Sequence, residues 1–445
     1  MNNIVTIKTI AEQETDFIIS TSMATELNLS NKVISVICFG TQKQYVNISI
    51  SDQIEYGTVN ISKKVMNELH LPEYPVFELF VRNNELIIGP FIGLLSSSKD
   101  KRFTKTRLEK LLVYFKKYSE IHGAIVVFAL DKVNTKARLI EGYCYNPATN
   151  SFENGVFPYP CAIYRKIGLS DKWKNHFVSA IGDKLFNNYY FNKWEMYQWY
   201  SSNAELATYL PYTCLYKTSK DVLNALDLYE DIYVKPVSGL RGNSIVKISK
   251  RNSEFTFKYR LKNTNQTDVF QKLSEVRENI HKHFSNRRYL IQKSIELITY
   301  KGGVIDFRCI MQKNQFNAWD CKAVIARCGE KNSIVSNISS GGRAYSGVDI
   351  MEYAIDMPLE QRIMLNEKIV ALTIKICNTL DNYGINCGSL GLDIGVDKNL
   401  NLWLFEINNR DPDPSISMNI NDVELYHNLK AGILLYGKYL AGFGE

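Results

Sequence analysis

Two carboxylates and an amide, Asp393, Glu406 and Asn408, lie in one short stretch, SLGLDIGVDKNLNLWLFEIN. Two apolar-rich segments flank the polar Asp397-Lys398-Asn399, so the spacing predicts a β-hairpin. Side chains alternate along a strand, which puts Glu406 and Asn408 on one face. A turn centred near Asn399-Leu400 sets Asp393 opposite Glu406. Three oxygen donors then converge on a face otherwise flanked by Gly391 and Gly395. Hard oxygen ligands of this kind suit magnesium carrying nucleotide phosphates. The plainer alternative is three polar residues on the exposed side of an antiparallel sheet, and spacing alone does not choose between them.

A phosphate-binding counterpart stands upstream. Tyr233-Val234-Lys235-Pro236 ends a predicted strand, and Ser238, Gly239 and Gly242 fall in the loop before the next one. Such a loop can fold over phosphates with its backbone N–H groups, while Lys235 sets an ammonium against them. It is not a Walker A loop, because no Gly-Lys-Ser/Thr is present and a strand follows. A third constellation is Asp306 and Arg308 on one predicted strand and Arg327 on the next. Two arginines in a sheet that reads as buried need anions, either paired carboxylates or a ligand. Downstream, Ser336 to Gly342 forms a loop whose glycines permit close approach to a ligand.

Taken in order, Lys-Pro with its glycine loop, the strand YLIQKSI, Asp-x-Arg, a second arginine, Asn-x-x-x-Gly-Gly and the carboxylate hairpin resemble the ATP-grasp superfamily. The segments LIIGPFIGLL, NKWEMYQWYSSNAELATYLPYT, IYVKPVSGLRGNSIVKI, FRCIMQKNQFNAW and LGLDIGVDKNLNLWLFEIN are similar to the YheC/YheD family of spore-coat-associated ATP-grasp proteins. That likeness covers nearly the whole chain. It implies an α+β multidomain chain in which an ATP-grasp fold follows a small β-rich domain and an α/β pre-ATP-grasp domain. It implies ATP and magnesium, with two ions held by Asp393, Glu406 and Asn408. Lys193 and Lys235 resemble the family's nucleotide lysines. Gln292, Lys293 and Ile295 fall on the hinge whose backbone holds adenine, with Glu296 a ribose ligand. Arg308, Arg327 and Asn337 fall where the superfamily holds transferred phosphate and substrate carboxylate.

The implied activity is an ADP-forming carboxylate–amine ligase, making an amide through an acyl phosphate on an amino acid, peptide or protein. The rival is a structural coat protein that keeps the fold and ATP binding without turnover. Three departures from the family pattern stand out. The loop runs Asn243-Ser244 where a glycine is usual, Asn408 is followed by Asn409-Arg410-Asp411-Pro412, one residue longer than the usual step to proline, and Gly391 replaces an arginine of D-alanine ligases.

These residues need a scaffold of several units, since 445 residues exceed one ordinary core. Residues 1–98 read as a β-rich domain, 99–190 as an α/β unit and 191–445 as the ATP-grasp part. The stripe in RLEKLLVYFKKYSEI predicts a helix followed by a buried strand over Gly123–Leu130. Beyond residue 190, helices are predicted near 191–208, 219–228, 266–282 and 357–382. Hydrophobic content of 45% with 22% charged residues fits a soluble globular chain. No apolar run approaches the roughly 18 residues of a membrane span. The N-terminus lacks a signal-peptide pattern, so the expected compartment is the cytoplasm. Nine scattered cysteines without a CxxC read as small hydrophobes in cores. A net charge of +7 suits anionic ligands and points only weakly to nucleic acid.

Overall fold

The computed structural model describes residues 3–11, 15–29, 35–239, 244–261, 264–285, 287–336, 338, 341–410 and 412–444. Four β-sheets follow one another along the chain. The first holds eight strands between Ile4 and Gly89, and the second six strands between Phe91 and Phe186. Sheet membership changes between Gly89 and Phe91, ahead of the serine-rich stretch near residue 98. Every residue of the Phe91–Ser97 strand is buried, because both its faces are covered. One face packs with the first sheet through Phe91 and Leu95, and the other meets the C-terminal helix Val423–Lys438 through Ile92 and Leu94.

The last two sheets carry the predicted site. In the third, the order is Thr213–Leu215, Tyr289–Lys293, Asp231–Pro236, Val246–Arg251, Glu254–Leu261 and Thr264–Phe270, all antiparallel. Helices Ser219–Tyr229 and Leu273–Phe284 pack on it through Val222, Leu226, Val276 and Ile280. In the fourth, the order is Arg343–Ser346, Trp319–Cys328, Gly303–Lys313, Ser389–Val396 and Leu402–Asn408. The long helix Leu359–Asp381 places Leu365, Ile369, Leu372, Ile376 and Leu380 on one stripe. That stripe meets Phe307, Cys309, Leu390, Leu392 and Ile394, and each such side chain contributes about 1.5–3 kcal/mol on burial. Alternation then leaves Asp306, Arg308 and Asp393 for the opposite face.

Two predicted helices are realised differently. Residues 266–282 split into the strand Thr264–Phe270 and a helix that begins only at Leu273. The strand pairs in register with Glu254–Leu261, so cross-strand hydrogen bonds override the weak helical pattern. The stripe after Arg107 breaks into Lys105–Leu111, a 3-10 turn at Leu112–Phe115 and Tyr118–Ile121. Tyr118 pins the break, its hydroxyl donating to Gly123 O at 2.8 Å and accepting from the Val76 N–H at 3.1 Å. A helix at Asp349–Ile355 went unpredicted. Six of the nine cysteines are buried and all are free thiols. Among the described residues, no helix is long and apolar enough to cross a membrane.

Candidate functional site

The carboxylate hairpin forms with the predicted pairing: Asp393 stands opposite Glu406, and Gly391 opposite Asn408. Its turn is built by Asp397, whose Oδ1 accepts the N–H groups of Asn399 and Asn401, both at 2.9 Å. Its Oδ2 accepts from Asn401 Nδ2 and Trp403 Nε1, both at 3.0 Å. One residue, Phe405, is extruded as a bulge, since Asp393 pairs with Glu406 while Ile394 pairs with Leu404. Gly391 keeps the face open. A Cβ there would come within 3.3 Å of both Arg308 Cδ and Pro412 Cβ.

Neighbouring strands then meet this face with cations. Arg308 pairs directly opposite Asp393, with Nε donating to Oδ1 at 2.6 Å. Arg327 pairs opposite Asp306, with Nε donating to Oδ1 at 2.8 Å, and its Nη2 lies 3.0 Å from Asp393 Oδ2. The anions that buried Arg327 and half-buried Arg308 meet are therefore the protein's own carboxylates. Burial works to raise the Asp393 pKa, but Arg308 and Arg327 outweigh it and hold the carboxyl below its ordinary value. Burial likewise opposes charge on Arg327, and Asp306 and Asp393 more than restore it. Asn408 turns its Nδ2 to Gly391 O at 3.2 Å.

The facing wall is the third sheet. Lys235 is buried, and its Nζ donates to Gln292 Oε1 at 2.7 Å. Gln292 Nε2 in turn donates to Thr213 Oγ1 at 2.9 Å, fixing the amide's orientation. Burial, and next the charge of Lys193, bring the Lys235 pKa down to about 8, although Glu406 and Asp393 pull upward. Lys193 opens the helix Lys193–Ser201 behind an Asn192–Glu195 capping box. Its Nζ lies 2.8 Å from Glu406 Oε1 and 3.4 Å from Gly239 O, so it bridges the two walls.

Between the walls lies a cleft of about 940 Å³. Lys193, Lys235, Gly239, Gln292, Lys293, Ile295 and Glu296 border it on one side, and Arg308, Arg327, Asp393, Glu406 and Asn408 on the other. Ser238 is exposed. Gly242 and Asn337 lie outside the described residues. Gln292 sits inside the ladder between Thr213 and Tyr233, and its side chain, which the sequence reading had not used, is the part engaged with Lys235. Glu296 pairs within the cleft lining with Lys398 at 2.5 Å, and its carbonyl accepts the Lys398 N–H at 3.2 Å. Sequence reasoning missed Tyr233, Phe405 and Arg410, which also line the cleft. Only Arg410 left a signal, as the extra residue before Pro412.

Two antiparallel sheets backed by helices, with lysines on one and carboxylates on the other, define a two-lobed unit whose lobes enclose a charged cleft. The chain belongs to the YheC/D-like ATP-grasp family, whose family model matches residues 182–440, more than half of its length. It is 26% identical over 421 residues to the endospore coat-associated protein YheD of Bacillus subtilis (strain 168), covering 91% of this chain and 90% of that one. It is 23% identical over 219 residues to YheC of the same organism, covering 49% of this chain and 59% of that one. Among solved structures, the ATP-grasp ligase PsnB complexed with minimal precursor is similar at 11% identity and a TM-score of 0.43, covering 78% of this chain and 99% of that one.

Proposed function

We propose that this chain is an ADP-forming carboxylate–amine ligase that joins a carboxylate to an amine on an amino acid, peptide or protein. The observation that carries this reading is the opposition of Lys235 and Lys193 to Asp393, Glu406 and Asn408 across one cleft. The donor set is two carboxylates and an amide, all oxygen, which fits magnesium rather than a softer metal. Among the described residues, no trio of His, Cys, Asp or Glu competes with it. Both carboxylates are paired with protein cations, which a magnesium ion at this face would displace or join. Asp393, Glu406 and Asn408 would hold the magnesium, which when bound supplies neutralisation of phosphate charge.

The chain's own residues do the rest. Lys235, held by Gln292, orients phosphate, and Lys193 turns to the nucleotide once Glu406 is engaged. Arg308 offsets charge on the group in transfer, while Arg327, locked between Asp306 and Asp393, acts by positioning Asp393. The γ-phosphoryl group passes to the acid as an acyl phosphate, the amine displaces phosphate, and ADP and phosphate leave. The two N-terminal sheets, within residues 1–190, are proposed to form the acceptor side.

The test is ADP release by the purified full chain with Mg-ATP across a panel of amino acids and peptides, beside a thermal shift with Mg-ATP alone. Acceptor-dependent ADP release supports the ligase. A thermal shift without turnover for any acceptor favours the second reading, a silent ATP-binding coat protein. That reading draws on the same ion pairs, which leave no metal-site carboxylate unpaired. No shift and no turnover would sink both.

A further inference from the structure

Three described arginines line the cleft, and two are already matched. Arg308 is held by Asp393, and Arg327 by Asp306 and Asp393. Arg410 is the third, and among the described residues it makes no ion pair. Asp413, the nearby cleft carboxylate, is occupied by the backbone N–H of Ser415 at 3.0 Å and by its hydroxyl at 2.8 Å.

Arg410 is exposed, and its guanidinium lies near an aromatic ring. Its guanidinium carbon lies 5.6 Å from the centroid of the Tyr190 ring, and that ring carries a second guanidinium, Arg165, at 3.9 Å. Arg165 is only 4% exposed and satisfies itself on main-chain oxygens, donating from Nε to Ile167 O at 2.8 Å and from Nη1 to Asn188 O at 2.5 Å. Burial and the neighbouring Arg410 both disfavour its charge. Two like charges thus share one ring, and of the two only Arg410 reaches the cleft, where it forms no ion pair with a described carboxylate. The main chain holds this corner firmly. Asn409 Nδ2 donates to Phe191 O at 2.9 Å, and Asn187 Nδ2 to Ser389 O at 3.1 Å.

We propose that Arg410 docks a second anionic group of the acid substrate, so that the molecule activated here is a diacid: an acidic amino acid, a dicarboxylate or the acidic end of a peptide. This rests on the ligase reading above and names its substrate class. Arg410 lies two residues beyond Asn408, so their Cα atoms are at most about 7 Å apart and its side chain can reach a substrate held beside the proposed metal ligands. The planar fork of arginine favours a carboxylate bound by two parallel hydrogen bonds.

Calorimetry on the full chain with magnesium and a non-hydrolysable ATP analogue tests this, using glutarate, L-glutamate and a Glu-Glu dipeptide against L-glutamine and butyrate. At least one diacid should bind about tenfold or more tighter than the monoacids. Arg410→Ala should erase that preference while nucleotide affinity stays within about twofold, and Arg410→Lys should restore only part of it. Equal diacid affinity in wild type and Arg410→Ala, or no diacid preference in a chain that binds the analogue, would overturn this proposal alone. Failure to bind the analogue would overturn the ligase reading and this proposal with it.

Discussion

Lys193 Nζ lies 2.8 Å from Glu406 Oε1, so a lysine on one wall of the cleft is bonded to a carboxylate on the other. The lysine comes from the first residue of a capped helix and the glutamate from the last strand of the fourth sheet. This ion pair bridges the two walls, and a divalent cation bound at Glu406 would have to compete with it.

Glu406→Gln should therefore remove more than a metal ligand. The neutral amide keeps the shape but releases Lys193. We expect the folded state to survive by circular dichroism, with the Mg-ATP thermal shift largely lost and turnover down about a hundredfold or more. Wild-type behaviour with every acceptor would show that this hairpin is not the metal site.

Lys235→Met should move stability and binding in opposite directions. With a folded pKa near 8 against 10.5 in the unfolded chain, the buried ammonium is unfavourable at neutral pH. The unfolded chain binds more protons between about pH 8 and 10.5, so this group makes wild-type stability rise with pH across that window. Removing the charge should raise unfolding free energy at pH 7 by about 1–3 kcal/mol, partly offset because Gln292 loses its partner. Nucleotide affinity should fall, and in wild type it should weaken above about pH 8 as the lysine deprotonates. A destabilised Lys235→Met that binds ATP normally would contradict both halves.

Arg327→Ala should destabilise the fold as well as slow the reaction. It strips buried Asp306 of its direct partner and Asp393 of one of two, a type of loss that costs about 3–5 kcal/mol. Arg308→Ala leaves Asp393 with Arg327 and should cost clearly less. Chemical denaturation of both variants gives the order, and equal stability would mean that the two arginines are not divided as the geometry divides them.

Asp397→Ala tests the hairpin itself. Four hydrogen bonds converge on this carboxylate and set where the turn falls. Burial alone would raise its pKa, but the Trp403 and Asn401 hydrogen bonds lower it. Its stabilisation is therefore present above pH 3.8 and is lost as pH falls through the lower folded value. The variant should lose about 1–3 kcal/mol and much of its Mg-ATP thermal shift, because a slipped register turns Glu406 from the cleft. An unchanged shift would show that the register survives without the aspartate.

The sequence by itself determined a hairpin with Asp393 and Glu406 on its two strands, while the bulge at Phe405, which a two-residue period does not encode, set them opposite each other. It likewise determined the shared face of Asp306 and Arg308 and the strands that carry Lys235, Gln292, Arg308, Arg327, Asp393 and Glu406. Local rules reach that far, since they act within a few residues. Tertiary structure decided the partners. Whether Arg327 meets a ligand or a carboxylate depended on Asp306 and Asp393 arriving from 21 and 66 positions away in the chain. Whether residues 264–270 became strand or helix depended on an available sheet edge. The Lys235–Gln292–Thr213 chain and the Arg165–Tyr190–Arg410 stack each join segments distant in sequence, and no periodicity encodes such a meeting. Charge in a cleft is settled by what packs around it, because burial removes the solvent that would otherwise screen each group separately.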